Sequence, residues 1–174
     1  MTTCFLEAFK PSRASAPFQI LVTVLPRDDR LRLVYRLTGP LEQIVIPEPG
    51  PSVFQDELWT QTCFEIFIKP SGYKHYEEWN FSLSSAWAHY SFSSYRQRID
   101  QAARQGPLEP IYIERSPDRC ELSADVPRPL GELEIGLATV LLTKDGKKTY
   151  WALNHHSQKP DFHDARSFTA KLRT

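Results

Sequence analysis

Residues 31–37 read Leu31-Arg32-Leu33-Val34-Tyr35-Arg36-Leu37, and they decide the fold. The odd positions are apropos of one face: Leu31, Leu33, Tyr35 and Leu37 are apolar, while Arg32 and Arg36 point the other way. A period of two is that of a half-buried strand. Before it lies the apolar run 18–25, and Pro26-Arg27-Asp28-Asp29-Arg30 in between reads as a hairpin connection, so the first two strands pair antiparallel. After it, Cys120-Glu121-Leu122-Ser123-Ala124-Asp125-Val126 alternates as cleanly. Residues 133–137 alternate before running into the continuously apolar 138–142, and Lys144-Asp145-Gly146-Lys147 carries the Asp-Gly hairpin signature, with Tyr150-Trp151-Ala152-Leu153 returning. Segments 63–68, 76–82 and 86–92 are short and aromatic-rich, and 167–172 predicts a closing strand. Residues 95–104 form the one helical candidate. Many short strands without recurring helices predict an all-β, antiparallel sandwich or barrel rather than a parallel α/β sheet.

The chain has 174 residues, the size of one domain, and 1–174 is read as one unit. Its 21 basic and 21 acidic side chains cancel, so no overall basic field is available to hold a nucleic-acid backbone. No apolar stretch approaches the roughly 20 residues of a membrane-spanning helix. The start, Met1-Thr2-Thr3-Cys4-Phe5-Leu6-Glu7, has neither the basic opening nor the apolar core of a secretory signal, which makes a cytoplasmic location the expectation. Cys4, Cys63 and Cys120 are odd in number and widely spaced, as expected of reduced thiols rather than a metal knuckle.

Three segments carry polar groups among aromatics. In Trp59-Thr60-Gln61-Thr62-Cys63-Phe64-Glu65-Ile66-Phe67-Ile68, a core-facing Phe64, Ile66 and Ile68 would put Glu65 on the other face between Cys63 and Phe67, a carboxylate among apolar neighbours that needs a partner. That partner is an ion pair, a loop backbone or a ligand. Along Trp79-Asn80-Phe81-Ser82 and Trp87-Ala88-His89-Tyr90-Ser91-Phe92, aromatic groups point to both faces, and exposed rings stack on sugars or planar cofactors. The densest segment is Asn154-His155-His156-Ser157-Gln158-Lys159-Pro160-Asp161-Phe162-His163-Asp164-Ala165-Arg166, whose His155, His163 and Asp161 could ligate a metal, although their spacing fits no zinc motif. Phosphate-binding glycine loops, nucleophile elbows and paired-histidine zinc helices are absent from the sequence.

Taken in order, Trp59 with Thr62 to Ile68, then Trp79 to Ser82 with Ala86-Trp87-Ala88 and Tyr95-Arg96, then Tyr150 to Leu153 with Lys159-Pro160-Asp161-Phe162-His163 and Phe168, resemble the bacterial DOMON-like domains, which are grouped with the family 9 carbohydrate-binding modules. The resemblance runs from about residue 59 to the end. It implies an immunoglobulin-like β-sandwich with long loops at one rim, of a kind that binds sugars or haem. It makes Trp59, Trp87 and Trp151 candidate stacking residues, and Glu65, Asn80, Tyr90, Arg96, His155, Lys159, Asp161 and His163 candidate ligand contacts. The only methionine is Met1, so a haem would need bis-histidine, lysine or five-coordinate ligation.

The expectation is therefore a non-catalytic domain that binds a small carbohydrate or another ring-bearing molecule, with no cofactor required. The alternatives are a redox domain carrying haem on His155, His156 or His163, a metal-assisted hydrolase using the histidine-rich loop, and a domain whose aromatics serve a protein interface.

Overall fold

A computed structural model describes residues 1–100 and 106–173. Among these residues, thirteen strands make two antiparallel sheets packed face to face. The smaller sheet orders β1 (Thr2–Phe5), β3 (Gln19–Arg27), β4 (Arg30–Thr38), β10 (Arg119–Pro127) and β9 (Tyr112–Arg115). The larger orders β2 (Glu7–Ala8), β12 (Lys148–Ala152), β11 (Leu133–Leu142), β5 (Cys63–Pro70), β6 (Tyr76–Ser82), β7 (Trp87–Ser94) and β8 (Gln97–Ile99), while β13 (Ala170–Leu172) also pairs with β11. The only helical elements among the described residues are three-residue 3-10 turns, none long enough to cross a membrane.

The alternation in 31–37 does what its period dictates. Leu31, Leu33, Tyr35 and Leu37 are fully buried between the sheets, opposite Phe64, Ile66 and Ile68 of β5. On the outward face, Arg32 and Arg36 pair with Asp125 and Glu121 of the adjacent β10. Tyr35 reaches across the sandwich and donates its hydroxyl hydrogen to the backbone carbonyl of Glu65 at 2.7 Å, a buried bond that ties the sheets together at mid-strand.

Two expectations change. The helical candidate at 95–104 is in part β8, because the backbone turns at Arg96, whose φ of +56° is left-handed, and Gln97–Ile99 returns to pair with β7; residues 101–104 lie outside the described residues. The closing strand is shorter than 167–172. Asp164 caps a 3-10 turn over Ala165–Ser167, and pairing begins only at Ala170.

The larger sheet is buried on both faces. Between the sheets lies the main core; on the outer face, segments 52–60 and 154–169 fold back over the strands. Leu58, Cys63, Phe67, Tyr76, Tyr90, Phe92 and Phe168 form a second apolar cluster there. Gly136 of β11 makes this possible: Phe168 lies on its bare Cα and stacks on Phe67, with ring centroids 5.5 Å apart. A side chain at 136 would collide with the Phe168 ring and crowd Cβ of Phe67 at 3.2 Å. Gly136→Ala is therefore expected to cost about 1–3 kcal/mol through overpacking. That lowers the melting temperature by roughly 2–4 °C per kcal/mol, measurable by calorimetry.

Candidate functional site

Antiparallel register arranges the outer face of the larger sheet in rows. One row runs Ala152, Ala138, Glu65, Asn80, Ala88 across β12, β11, β5, β6 and β7. Three alanines flank the two polar residues, so no long apolar side chain from this row covers Glu65. The next row runs Gly136, Phe67, Glu78, Tyr90, which places a second carboxyl on the same face two residues from Asn80. The covering segments leave a cavity of about 430 Å³ over these rows, a volume within the usual range for small-ligand pockets.

Glu65 and Glu78 both line this cavity. Trp59 and Tyr90 flank it on the β7 side, their rings meeting edge to face at 5.7 Å. Tyr150 and Phe162 flank it on the β12 side at 6.2 Å from one another. Phe92, Val140, Pro160 and His163 add to the wall, and Arg96, Arg98 and Lys148 bring cations to it.

Both carboxyls are almost wholly buried, and burial sets their chemistry. Desolvation, reinforced by the neighbouring Glu78, pushes Glu65 well above the usual carboxylate range, against a weaker pull from the Cys63 thiol. Glu78 is raised to about 7 by desolvation, even though the Asn80 amide and the charges of Arg96 and Arg98 pull it down. Asn80 Nδ2 donates to Glu78 Oε1 at 2.8 Å. Glu65 Oε1 and Asn80 Oδ1 are buried and have no hydrogen-bond partner among the described residues. For that Glu65 oxygen, neither an ion pair nor a loop backbone group among the described residues is the partner.

His163 sits among Phe67, Tyr76 and Phe92, and burial, with Arg96 nearby, lowers its pKa to about 4. Its ring is neutral at pH 7. The Arg96 amide donates to Tyr76 Oη at 3.2 Å, and Tyr76 lies 2.8 Å from His163 Nδ1. With the Tyr76 hydroxyl donating to Nδ1 of the neutral imidazole, the ring proton is on Nε2, 3.7 Å from Glu78 Oε2. Asp161 anchors the loop: it accepts from Arg96 at 2.9 Å, from Tyr95 at 2.7 Å and from the His163 amide at 3.2 Å. Tyr90 is fixed by donating to Asp56.

Of the eleven candidate contacts, Trp59, Glu65, Tyr90, Arg96 and His163 line the cavity, and Asn80 and Asp161 bond directly to its walls. The expectation that Trp59, Trp87 and Trp151 share one open surface is not met. Trp87 and Trp151 are packed in the main core, because their strand positions face the other sheet; only Trp59, 37% exposed, faces outward. His155 turns to the Glu7 carbonyl at 2.8 Å and packs on Phe9, while Lys159 is exposed and not part of the cavity. His156 bonds to the Arg166 carbonyl, so His155, His156 and His163 diverge. Among the described residues no three His, Cys, Asp or Glu side chains converge as metal ligands, and the trio His155, His163 and Asp161 does not assemble. Sequence reading missed Glu78, Phe92, Arg98, Val140, Lys148, Tyr150, Pro160 and Phe162 as lining residues. Alternation alone puts Glu78 and Phe92 on the face of Asn80 and Tyr90. Arg98 carried no such signal while its segment read as a helix.

No protein family and no curated protein matches the chain. Solved structures do. A protein from Bacteroides uniformis, described by inference as carbohydrate-binding, superposes with a TM-score of 0.61 at 11% identity, covering 97% of this chain and 85% of the other. A family 9 carbohydrate-binding module from Caldicellulosiruptor kristjanssonii, in complex with cellotriose, gives 0.53 at 13% identity over 97% and 82%. The glucose complex of a family 9 module from that organism gives 0.51 at 14% over 97% and 83%. The chain shares their β-sandwich fold.

The carboxyl pair has a signature in stability. For Glu78, the folded value near 7 lies above the ordinary 4.5, so its favourable contribution is complete below about pH 4.5 and is lost as pH rises through 7. Glu65, raised well above the ordinary carboxylate range by burial and by Glu78, acts in the same sense. His163 opposes them, because its folded value near 4 lies below the ordinary 6.5, and it offsets Glu78 between about pH 4.5 and 6.5. The melting temperature is expected to fall from pH 5 to pH 8, most steeply above 6.5, and Glu65→Gln to flatten that fall. A wild-type midpoint that rises over this interval contradicts the assignment.

Proposed function

We propose that this chain is a non-catalytic carbohydrate-binding domain, kin to the DOMON-like and family 9 modules, that holds one sugar ring or chain end in the cavity over Glu65. The observation that carries the reading is the cavity flanked by aromatic rings over the buried Glu65 carboxyl, one oxygen of which has no partner among the described residues. A sugar has hydroxyls that satisfy buried acceptors and donors, and C–H faces that pack on aromatic rings. A wholly apolar ligand would leave Glu65 unsatisfied. The fold shared with modules seen in complex with cellotriose and glucose supports the same reading.

Trp59 gives the test. The other three tryptophans are buried, so acrylamide quenching of the native protein reports chiefly on Trp59. Titration across a panel of mono- and disaccharides is expected to show a sugar that protects this fluorescence. In isothermal titration calorimetry, Trp59→Ala should weaken that sugar by about tenfold, the loss of roughly 1–2 kcal/mol of ring contact. Binding of a sugar with Trp59 unprotected and Trp59→Ala unchanged would place the ligand elsewhere.

A further inference from the structure

We infer that the ligand carries an anionic substituent, a carboxylate or a phosphate on the sugar ring, and that this group lies against Arg98, with Arg96 beside it, on the β7–β8 wall. The inference rests on the sugar-binding reading above and narrows its ligand class.

The charge distribution around the cavity points there. The chain as a whole is neutral, and Arg30, Arg32, Arg36, Lys69, Lys147, Arg166 and Arg173 each have a carboxylate within 4.0 Å. Other exposed cations such as Lys10, Lys74 and Lys159 have none among the described residues, so what marks the cavity is that its cations stand together at one concave site. Three cations reach the cavity, and of these only Arg96 has such a partner, Asp161. Arg98 and Lys148 have none among the described residues. The cavity's own carboxyls compensate them only in part. Glu65 and Glu78 lie at its base, where burial raises both, Glu78 to about 7 against the pull of Arg96 and Arg98, and neither has an ion-pair contact within 4.0 Å to Arg98 or Lys148.

Arg98 is also prepared in shape. It stands cross-strand from Phe92, with its guanidinium carbon 4.2 Å from the centroid of the Tyr90 ring. Tyr90 is itself held by Asp56. Stacking sets the guanidinium against the ring, and its N–H groups have no hydrogen-bond partner among the described residues, the arrangement that receives a carboxylate or phosphate through paired hydrogen bonds. Lys148 lies on β12, at the far side of the cavity from β8, where it adds attraction at a distance.

The experiment is calorimetric titration of the intact protein at about 50 mM salt with D-glucose, D-galactose, D-glucuronate, D-galacturonate and glucose 6-phosphate, with acetate and inorganic phosphate as anions lacking a ring. At least one acidic sugar is expected to bind tenfold or more tightly than its neutral counterpart, and the acid that does so tells carboxylate from phosphate. Arg98→Gln should shrink that preference at least fivefold, and Lys148→Met much less. Both side chains are exposed, and an unchanged melting temperature confirms that each variant is folded. Neutral sugars binding as well as acidic ones would overturn the inference and leave the sugar-binding reading standing. A preference that survives Arg98→Gln but vanishes in Lys148→Met would put the anion on the opposite wall and overturn the assignment. Binding of no sugar, neutral or acidic, would remove both.

Discussion

The structure depends on one constraint: β5 lies in the middle of the larger sheet and is buried on both faces. Its inward residues Phe64, Ile66 and Ile68 fill the space between the sheets, and its outward residues Cys63, Glu65 and Phe67 are equally hidden. A sheet covered on only one side would leave that second set in water. Here, the two long segments supply the second cover, and the carboxyl of Glu65 is enclosed with Asn80 and Glu78 beside the apolar Cys63 and Phe67. Leaving a buried polar group without a partner costs about 1–3 kcal/mol. A domain that keeps such a group at the base of an accessible cavity retains an unmet demand that a ligand can satisfy.

The cover is held by discrete contacts. Gly136 lets Phe168 descend onto Phe67, which draws the end of the long loop against the sheet. Asp161 then ties that loop to Tyr95 and Arg96, where the backbone is already in an uncommon left-handed conformation. A non-glycine residue there costs on the order of 1 kcal/mol, which the Asp161 and Tyr76 bonds to the same residue offset. The two aromatic flanks therefore come from segments distant in sequence, with Trp59 before β5 and Phe162 after β12. Their spacing is set by loop anchors rather than by strand geometry.

How much of this was legible in the sequence follows from the same division. The short connection at 26–30 specified the pairing of 18–25 with 31–37. Alternation at 31–37 and 120–126 specified strands and their faces because a period of two has one physical meaning when one side is dry. It also placed Glu65 on the face opposite Ile66, which the structure bears out. Alternation could not tell which aromatic face was the interior of the sandwich. In β7, Trp87 and His89 alternate with Ala88, Tyr90 and Phe92, and both faces are buried, so composition favoured neither. Trp87 and Trp151 were assigned to an open surface because large rings look alike in core and pocket; their register opposite Phe81 and Thr139 places them. The histidine-rich loop misled for a related reason. Proximity along a chain without regular period says nothing about direction, and His155 and His163 leave the backbone toward different partners.

The burial of two of the three proposed stacking indoles does not remove the aromatic character of the site, because Tyr90, Tyr150 and Phe162 line the cavity with Trp59. The exchange has a physical consequence. Tyr90 brings a hydroxyl that must be satisfied, and Asp56 satisfies it, so the ring is held in one orientation instead of being free to turn. A fixed ring can in turn support Arg98, whose planar cation would otherwise sample many rotamers in solvent. Orientation thus passes from Asp56 to Tyr90 to Arg98, while burial raises both carboxyls beneath, Glu65 well above the usual range and Glu78 to about 7. The site combines a buried, hydrogen-bonding base with a cationic edge, and this division within one cavity is what a ligand with both hydroxyls and an anionic group would match.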